Sequence, residues 1–205
     1  MGPLLRAGYS SKDPQEKKID LSFYKNPDVL AVAKSLIGKG LFTNIDGVIT
    51  GGIITETEGY AGIHDRASHA YGNRRTKRTE AMYGRGGIAY IYLCYGIHHL
   101  FNIVTNIEGT PEAVLIRALY PTHGIETMLK RRSKKTTEKL TSGPGALTQS
   151  LKINQSHYGM PLNSPELWIA DLGISVERIK ATPRIGVAYA QEDALLPYRF
   201  ISTLD

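Results

Sequence analysis

Glu56, Glu58 and Tyr60 arrive from one alternating stretch, Ile53 to Tyr60, immediately ahead of a run rich in histidine and arginine. In a strand, side chains two positions apart share a face, so Glu58 and Tyr60 point the same way. A carboxylate beside an aromatic ring is the equipment for aiming a water at a substrate held by stacking. A second stretch, Ala89 to Asn102, sets Tyr90 and Tyr92 where they would wall one strand face, while Tyr95, offset and next to Gly96, falls at the strand's exit and protrudes. Each stretch also has a plainer reading: an edge strand whose acids are solvated, and a sheet whose tyrosines are half buried because tyrosine suits strands.

Lysine and arginine gather in two places. One holds Arg66, Arg74, Arg75, Lys77, Arg78 and Arg85, the other Lys130, Arg131, Arg132, Lys134, Lys135 and Lys139. Charge runs are often only solvated faces. The first cluster lies among Gly72, Asn73, Gly84, Gly86 and Gly87, which imply loops from which arginines reach phosphates, whereas the second decorates a helix end. Aromatic side chains interleaved with basic loops suit a base drawn out of a duplex, because the base needs rings to stack on and the gap needs a wedge. That pattern fits a base-flipping protein. A competing signal, His64-Asp65 followed by His69, suggests a metal-dependent phosphohydrolase, but further ligands at a recognisable spacing are missing. No metal is expected. Cys94 reads as a small strand residue, since no partnered-histidine signature accompanies it.

These residues need a scaffold, and 205 residues suffice for one domain with a sizeable core. A single cysteine forms no internal bridge, and no apolar run approaches the length of a membrane span or a signal-peptide core, so a soluble protein of a reducing compartment is expected. The net charge of +6 is moderate, and its distribution matters more than its total. Residues 1 to 20 read as a flexible or peripheral tail ahead of one domain over 21–205. Asn26 and Pro27 have the form of an N-cap and first-turn proline for a helix that Gly38 stops. Leu41 to Ile45, Asp46-Gly47 and Val48 to Glu58 predict a β-hairpin. Further strands are expected over 88–95, 101–107, 113–119, 168–170 and 185–190, with a helix capped by Thr122 to about Arg132, another over 145–151, and a docked terminal segment over 197–202.

Several separated blocks resemble one family, the alkyladenine (3-methyladenine) DNA glycosylases of the mammalian type, which also occur in bacteria. They are ETEGY at 56–60, ASHAYGNRRTKR at 67–78, YIYLCYG at 90–96 with Asn102, VLIRALYP at 114–121 and LTSGPGALTQSL at 140–151, within a likeness running from Pro27 to Phe200. The resemblance implies that Glu58 activates the attacking water, and that Tyr60, His69 and Tyr92 are stacking walls. It implies that Tyr95 inserts into the duplex where the damaged nucleotide has left. By the same resemblance Asn102 rejects the exocyclic 2-amino group of guanine, Arg117 helps hold the water and the flipped nucleotide's phosphate, and Leu115 lies near the pocket floor. Tyr90 is expected to be a supporting sheet residue, and Arg74 and Arg78 to contact the DNA backbone. The chain departs from the family's pattern at Gly59, where alanine is frequent, and at His98 and His99 after the wedge.

Cleaving an N-glycosidic bond passes through an oxocarbenium-like sugar, so a carboxylate is useful both to orient water and to oppose the developing charge. No lysine stands out as a Schiff-base nucleophile in the blocks that match the family, which argues for direct attack by water and an uncut strand at an abasic site. The resemblance implies a single α+β domain with a curved, largely antiparallel sheet and surrounding helices, and the strand pattern agrees. The expected activity is that of a monofunctional glycosylase that releases alkylated or deaminated purines (3-methyladenine, 7-methylguanine, hypoxanthine, ethenoadenine) from double-stranded DNA, without cofactor or membrane, as a monomer. Its place is the bacterial cytoplasm at the nucleoid, or the nucleus of a eukaryote. The alternatives are a nonenzymatic nucleic-acid-binding module and the metal phosphohydrolase.

Overall fold

The computed structural model describes residues 17–202. Its centre is a hairpin, β1 (Gly40–Ile45) and β2 (Val48–Tyr60), closed at the left-handed pair Asp46 and Gly47. Six further strands follow: β3 (Ala89–Cys94), β4 (His98–Thr105), β5 (Glu112–His123), β6 (Leu167–Ala170), β7 (Lys180–Thr182) and β8 (Arg199–Ile201). They form one antiparallel sheet in the order β3-β4-β5-β2-β1-β6, with β8 added to β2 and β7 to β8. The fold is therefore the expected mixed α+β architecture.

The thirteen-residue strand β2 is the spine of the sheet. One of its edges pairs with β5, while the other pairs first with β1, through residues 48–53, and then with β8, through residues 56–58. Register shifts at Gly51/Gly52 and on both sides of Glu56 break the ladder to β5. Such bulges bend a strand and re-aim its side chains next to functional sites.

Helix α1 (Val29–Ser35) crosses one face of this spine. At seven residues it is far short of the length an isolated helix needs in water, so tertiary packing holds it. Val29, Val32, Ala33 and Leu36 are buried, and each large aliphatic side chain so placed contributes roughly 1.5–3 kcal/mol. Its cap differs from the expected one. Asp28 accepts from the N–H groups of Leu30 and Ala31, while Asn26 makes an Asx turn one step earlier by accepting from Asp28 N. Two Asx residues flank Pro27, and the second begins the helix.

Helices α2 (Ile125–Arg131) and α3 (Pro144–Leu151) complete the described α-helices. Thr122 does not cap α2, because β5 runs on to His123 and the chain turns at Gly124 with φ 65°. The strand expected over 185–190 is also absent: Gly186 takes a φ of 77°, and a 3-10 segment, Ala188–Leu195, follows. The terminal segment docks as β8. The tail expected over 1–20 falls largely outside the described residues; within 17–20, Ile19 is buried and Lys18 bridges to Ala170. No described helix is long and apolar enough to cross a membrane.

Candidate active site

The alternation of β2 divides its last residues between two tasks. Thr57 turns to α1, its hydroxyl donating to the Ala33 carbonyl at 2.8 Å, and Gly59 also faces that helix, where a Cβ would come within 2.7 Å of Leu30 Cδ2. Gly59 is thus the close-approach point of helix and strand. Glu58 and Tyr60 turn the other way together, as their spacing requires, and the Tyr60 hydroxyl donates to Glu58 Oε2 at 2.9 Å.

Glu58 has no solvent exposure, and its carboxylate oxygens are held by polar partners. Its Oε1 accepts from Ile185 N at 2.8 Å and faces Arg117 Nη1 at 3.3 Å, while Oε2 takes the Tyr60 hydroxyl. Glu56, two residues earlier, is placed differently: its Oε1 receives Arg117 Nε at 2.7 Å and Arg199 Nε at 2.6 Å. One carboxylate is neutralised by two guanidiniums. The other is gripped mainly by uncharged donors.

Tyr60, Arg117 and Ile185, which hold Glu58, line a cavity of about 240 Å³, while Glu58 itself sits behind them and is not among its lining residues. That volume is just under the ~300–1,000 Å³ of sites for drug-sized ligands, a size suited to one base. Tyr60, His69, Tyr92, Asn102, Leu115 and Arg117 all line it, so these six expected site residues converge. His69 meets Tyr92 edge to face, with ring centroids 4.6 Å apart, which makes a corner of the two expected walls. Tyr90 is more than a sheet support, since it also lines the cavity and its hydroxyl lies 2.8 Å from His69 Nδ1. Asn102 is locked by donating from Nδ2 to the Tyr90 carbonyl at 3.1 Å.

Arg78 bridges two walls rather than standing free. Its Nη2 donates to His69 Nε2 at 2.9 Å, and its guanidinium lies over the Tyr92 ring at 4.7 Å. Because a guanidinium only donates, His69 Nε2 must accept, which assigns the ring proton to Nδ1, facing Tyr90. Burial, with help from the positive charges of Arg78 and Arg74, pushes the His69 imidazole down to about 4. The ring is neutral at physiological pH. Burial likewise raises the phenols of Tyr60, Tyr90 and Tyr92, so these walls stay uncharged.

Beside this cavity lies a cleft of about 480 Å³ that contains Arg66, Arg74 and Arg78 together with the hydroxyl residues Ser68, Thr76 and Thr79. Arg74 is exposed there. Tyr95 stands on the cavity's rim, 92 % exposed, at the tip of the β3–β4 hairpin. It has a φ of 50° and Gly96 one of 71°, with Ile97 N donating to the Cys94 carbonyl, as in a type I′ turn. A side chain in that left-handed region costs on the order of 1 kcal/mol. The turn projects Tyr95 and the adjacent Ile97, 72 % exposed, away from the sheet.

One supporting residue, Arg184, gave no signal in the sequence, and its partner Asp65 was read there only as half of a metal-like pair. Arg184 is buried, forms a two-pronged pair with Asp65, donates to the Gly59 carbonyl at 2.9 Å and lies over the Tyr60 ring at 4.9 Å. It pins the segment whose next residue, Ile185, donates to Glu58. Asp65 also accepts from Ala61 N and Ala67 N, so its oxygens are occupied by donors, while His64 is exposed. Among the described residues no group of three or more His, Cys, Asp or Glu is placed to hold a metal ion. Residues 119 positions apart in sequence leave no spacing to read. Of the departures, the His98 ring faces α3, where a Cβ on Gly145 would lie 2.7 Å from it, while His99 meets the same helix through its backbone carbonyl, which accepts from Thr148 Oγ1 at 2.6 Å.

The family model of methylpurine-DNA glycosylase matches residues 22–204. The chain belongs to the methylpurine-DNA glycosylase family. Among its relatives, a protein of Chlamydia felis named "Putative 3-methyladenine DNA glycosylase" is 50 % identical over 182 residues, covering 88 % of this chain and 93 % of that one. A protein of Bacillus cereus with the same name is 46 % identical, covering 87 % and 92 %. As a methylpurine-DNA glycosylase, the chain is a DNA-repair enzyme acting on alkylated purines.

Proposed function

We propose that this glycosylase flips an alkylated or deaminated purine out of double-stranded DNA and hydrolyses its N-glycosidic bond with a water activated by Glu58. The observation that carries this reading is the set of contacts around that carboxylate. A carboxylate offers about four acceptor positions, and Ile185 N, Arg117 and the Tyr60 hydroxyl occupy three of them. Glu58 has no solvent exposure, so in this reading the attacking water is brought to its remaining acceptor position on Oε2 together with the flipped nucleotide. Glu56 is instead engaged by two arginines, Arg117 and Arg199.

The reaction follows from that placement. As the C1′–N bond to the base lengthens, the sugar gains oxocarbenium character, which the carboxylate opposes electrostatically. Water attacks C1′, its proton passes to Glu58, the base departs with the bonding electrons, and an abasic sugar remains in an unbroken strand. A base alkylated on a ring nitrogen is cationic and leaves as a neutral molecule, so it needs little acid assistance. Its positive charge also favours the aromatic faces of Tyr60 and Tyr92. Neutral lesions such as hypoxanthine and ethenoadenine depend instead on shape and hydrogen bonding, with Asn102 rejecting the 2-amino group of guanine. Leu115 forms the pocket floor, and Arg117 steadies the water and a phosphate of the flipped nucleotide. Tyr95 occupies the gap in the duplex, and Arg74 and Arg78 face phosphates. The enzyme acts as a monomer without a cofactor.

The test is base release from a methylated duplex in the absence of added metal. Glu58→Gln keeps the shape of the side chain and is expected to slow single-turnover release at least about 10²–10⁴-fold, with binding to damaged duplex retained. Near-normal release by that variant would exclude Glu58 as the base.

A further inference from the structure

His69 and Tyr189 are the two residues common to the linings of the base-sized cavity and the arginine cleft. In a nucleotide the sugar is the covalent bridge between base and phosphate. A base seated in the cavity with one of its phosphates in the cleft therefore lays its deoxyribose across the rim these two residues form. His69 is engaged on both ring nitrogens, by Tyr90 and Arg78. Tyr189 is 65 % exposed, and its hydroxyl is tethered to the Ala67 carbonyl at 3.1 Å.

The segment that carries Tyr189 is held firmly. Arg184 Nη2 donates to the Asp193 carbonyl at 3.1 Å, and Asp193 Oδ2 accepts from Arg66 N at 2.8 Å. Two residues after Tyr189, Gln191 takes a φ of 54° with ψ −126°, a conformation comfortable for glycine and costly for other residues. Strain of that kind persists where the surroundings over-determine the backbone. A large, exposed ring is thus fixed at the point where two cavities meet.

We infer that Tyr189 is a sugar-binding residue of this enzyme, its ring packing on the C–H face of the everted deoxyribose and so fixing C1′ relative to Glu58. The inference rests on the glycosylase reading above and adds to it a contact outside the base pocket. A duplex containing a tetrahydrofuran abasic-site analogue separates the two, because it keeps a sugar and both phosphates and lacks the base.

Binding of that duplex and of an undamaged duplex is measured at one salt concentration. Tyr189→Ala is expected to bind the tetrahydrofuran duplex about tenfold more weakly than wild type, the scale of one lost stacking contact, with affinity for undamaged duplex unchanged. Tyr189→Phe, which keeps the ring, is expected to restore the affinity. Wild-type affinity of Tyr189→Ala for the tetrahydrofuran duplex would overturn the assignment, as would an equal loss on undamaged DNA, and neither result touches the role of Glu58. A wild-type protein that fails to prefer the tetrahydrofuran duplex and releases no base would overturn the glycosylase mechanism and this contact with it.

Discussion

Tyr92 and Tyr95 lie three residues apart on one hairpin, yet Tyr92 touches His69, Tyr90 and Arg78, whereas Tyr95 is almost wholly in solvent. The same division runs through the whole site. In the interior, Glu58, Tyr60 and His69 have their polar atoms engaged by named partners, and Asn102 is anchored through Nδ2. On the rim, Tyr95, Ile97 and Arg74 project outward. Preorganised donors and acceptors serve chemistry because they need not rearrange as charge develops. A wedge must instead meet base pairs that arrive from outside, so it stays unpartnered until DNA supplies the partner.

This contrast orders the expected effects of substitution. Tyr95→Ser removes the proposed wedge and leaves the carboxylate of Glu58 in place, so on the proposed mechanism it should reduce the extent of flipping without altering the general base. Unstacking costs a few kcal/mol, part of which the ring recovers, and a loss of about tenfold to a hundredfold in single-turnover excision is expected for lesions in stable pairs. The loss should shrink for lesions in mismatched duplexes. Ethenoadenine fluorescence reports extrusion directly, and wild-type extrusion by Tyr95→Ser would show that the exposed tip is not the wedge.

An interior residue should change selectivity more than overall rate. Asn102 is anchored on the Tyr90 carbonyl, so its position toward an incoming base is fixed. Asn102→Ser is expected to raise excision of mismatched guanine relative to hypoxanthine by about tenfold, the scale of one clash or hydrogen bond. An unchanged ratio in competition assays would place discrimination at another residue.

Arg74 and Arg78 sharpen the boundary between the two regions. Both line the cleft, but only Arg78 is also bonded to His69 and stacked on Tyr92. Arg74→Ala should flatten the slope of log binding constant against log salt by about 1, as expected for one phosphate contact. Arg78→Ala should flatten it less and also slow excision, because it releases two pocket walls. Equal slopes and equal rates for the two variants would erase the distinction.

What was legible beforehand follows the same boundary of local against distant. The shared face of Glu58 and Tyr60 is a consequence of strand period, and the projection of Tyr95 is written in its neighbour Gly96, which a tight turn accommodates. The β1–β2 hairpin was readable from Asp46-Gly47 for the same reason. The pairing of Asp65 with Arg184 across the fold has no local signature. The reading of 185–190 as a strand failed because apolar alternation also occurs in a loop that turns at Gly186. The two basic clusters looked alike in composition but differ in use: Arg131 of the second is spent on Thr50 and Ser150, holding α2 to the sheet and α3.

The last test concerns protons, and it asks whether His69 belongs to the interior. An exposed imidazole titrates near 6.5, but burial and the neighbouring arginines push His69 down to about 4. Between those two values the unfolded chain binds a proton that the folded site does not, so this residue's contribution to stability rises as pH increases from about 4 to 6.5 and is level above it. His69→Gln should flatten that part of the stability curve measured by denaturant unfolding. Excision of a cationic lesion should show no inflection near pH 6.5 attributable to His69, since the wall stays neutral and does not repel a positive base. An inflection there that disappears in His69→Gln would mean that the imidazole is solvated and titrates freely, which would move His69 from the interior to the rim.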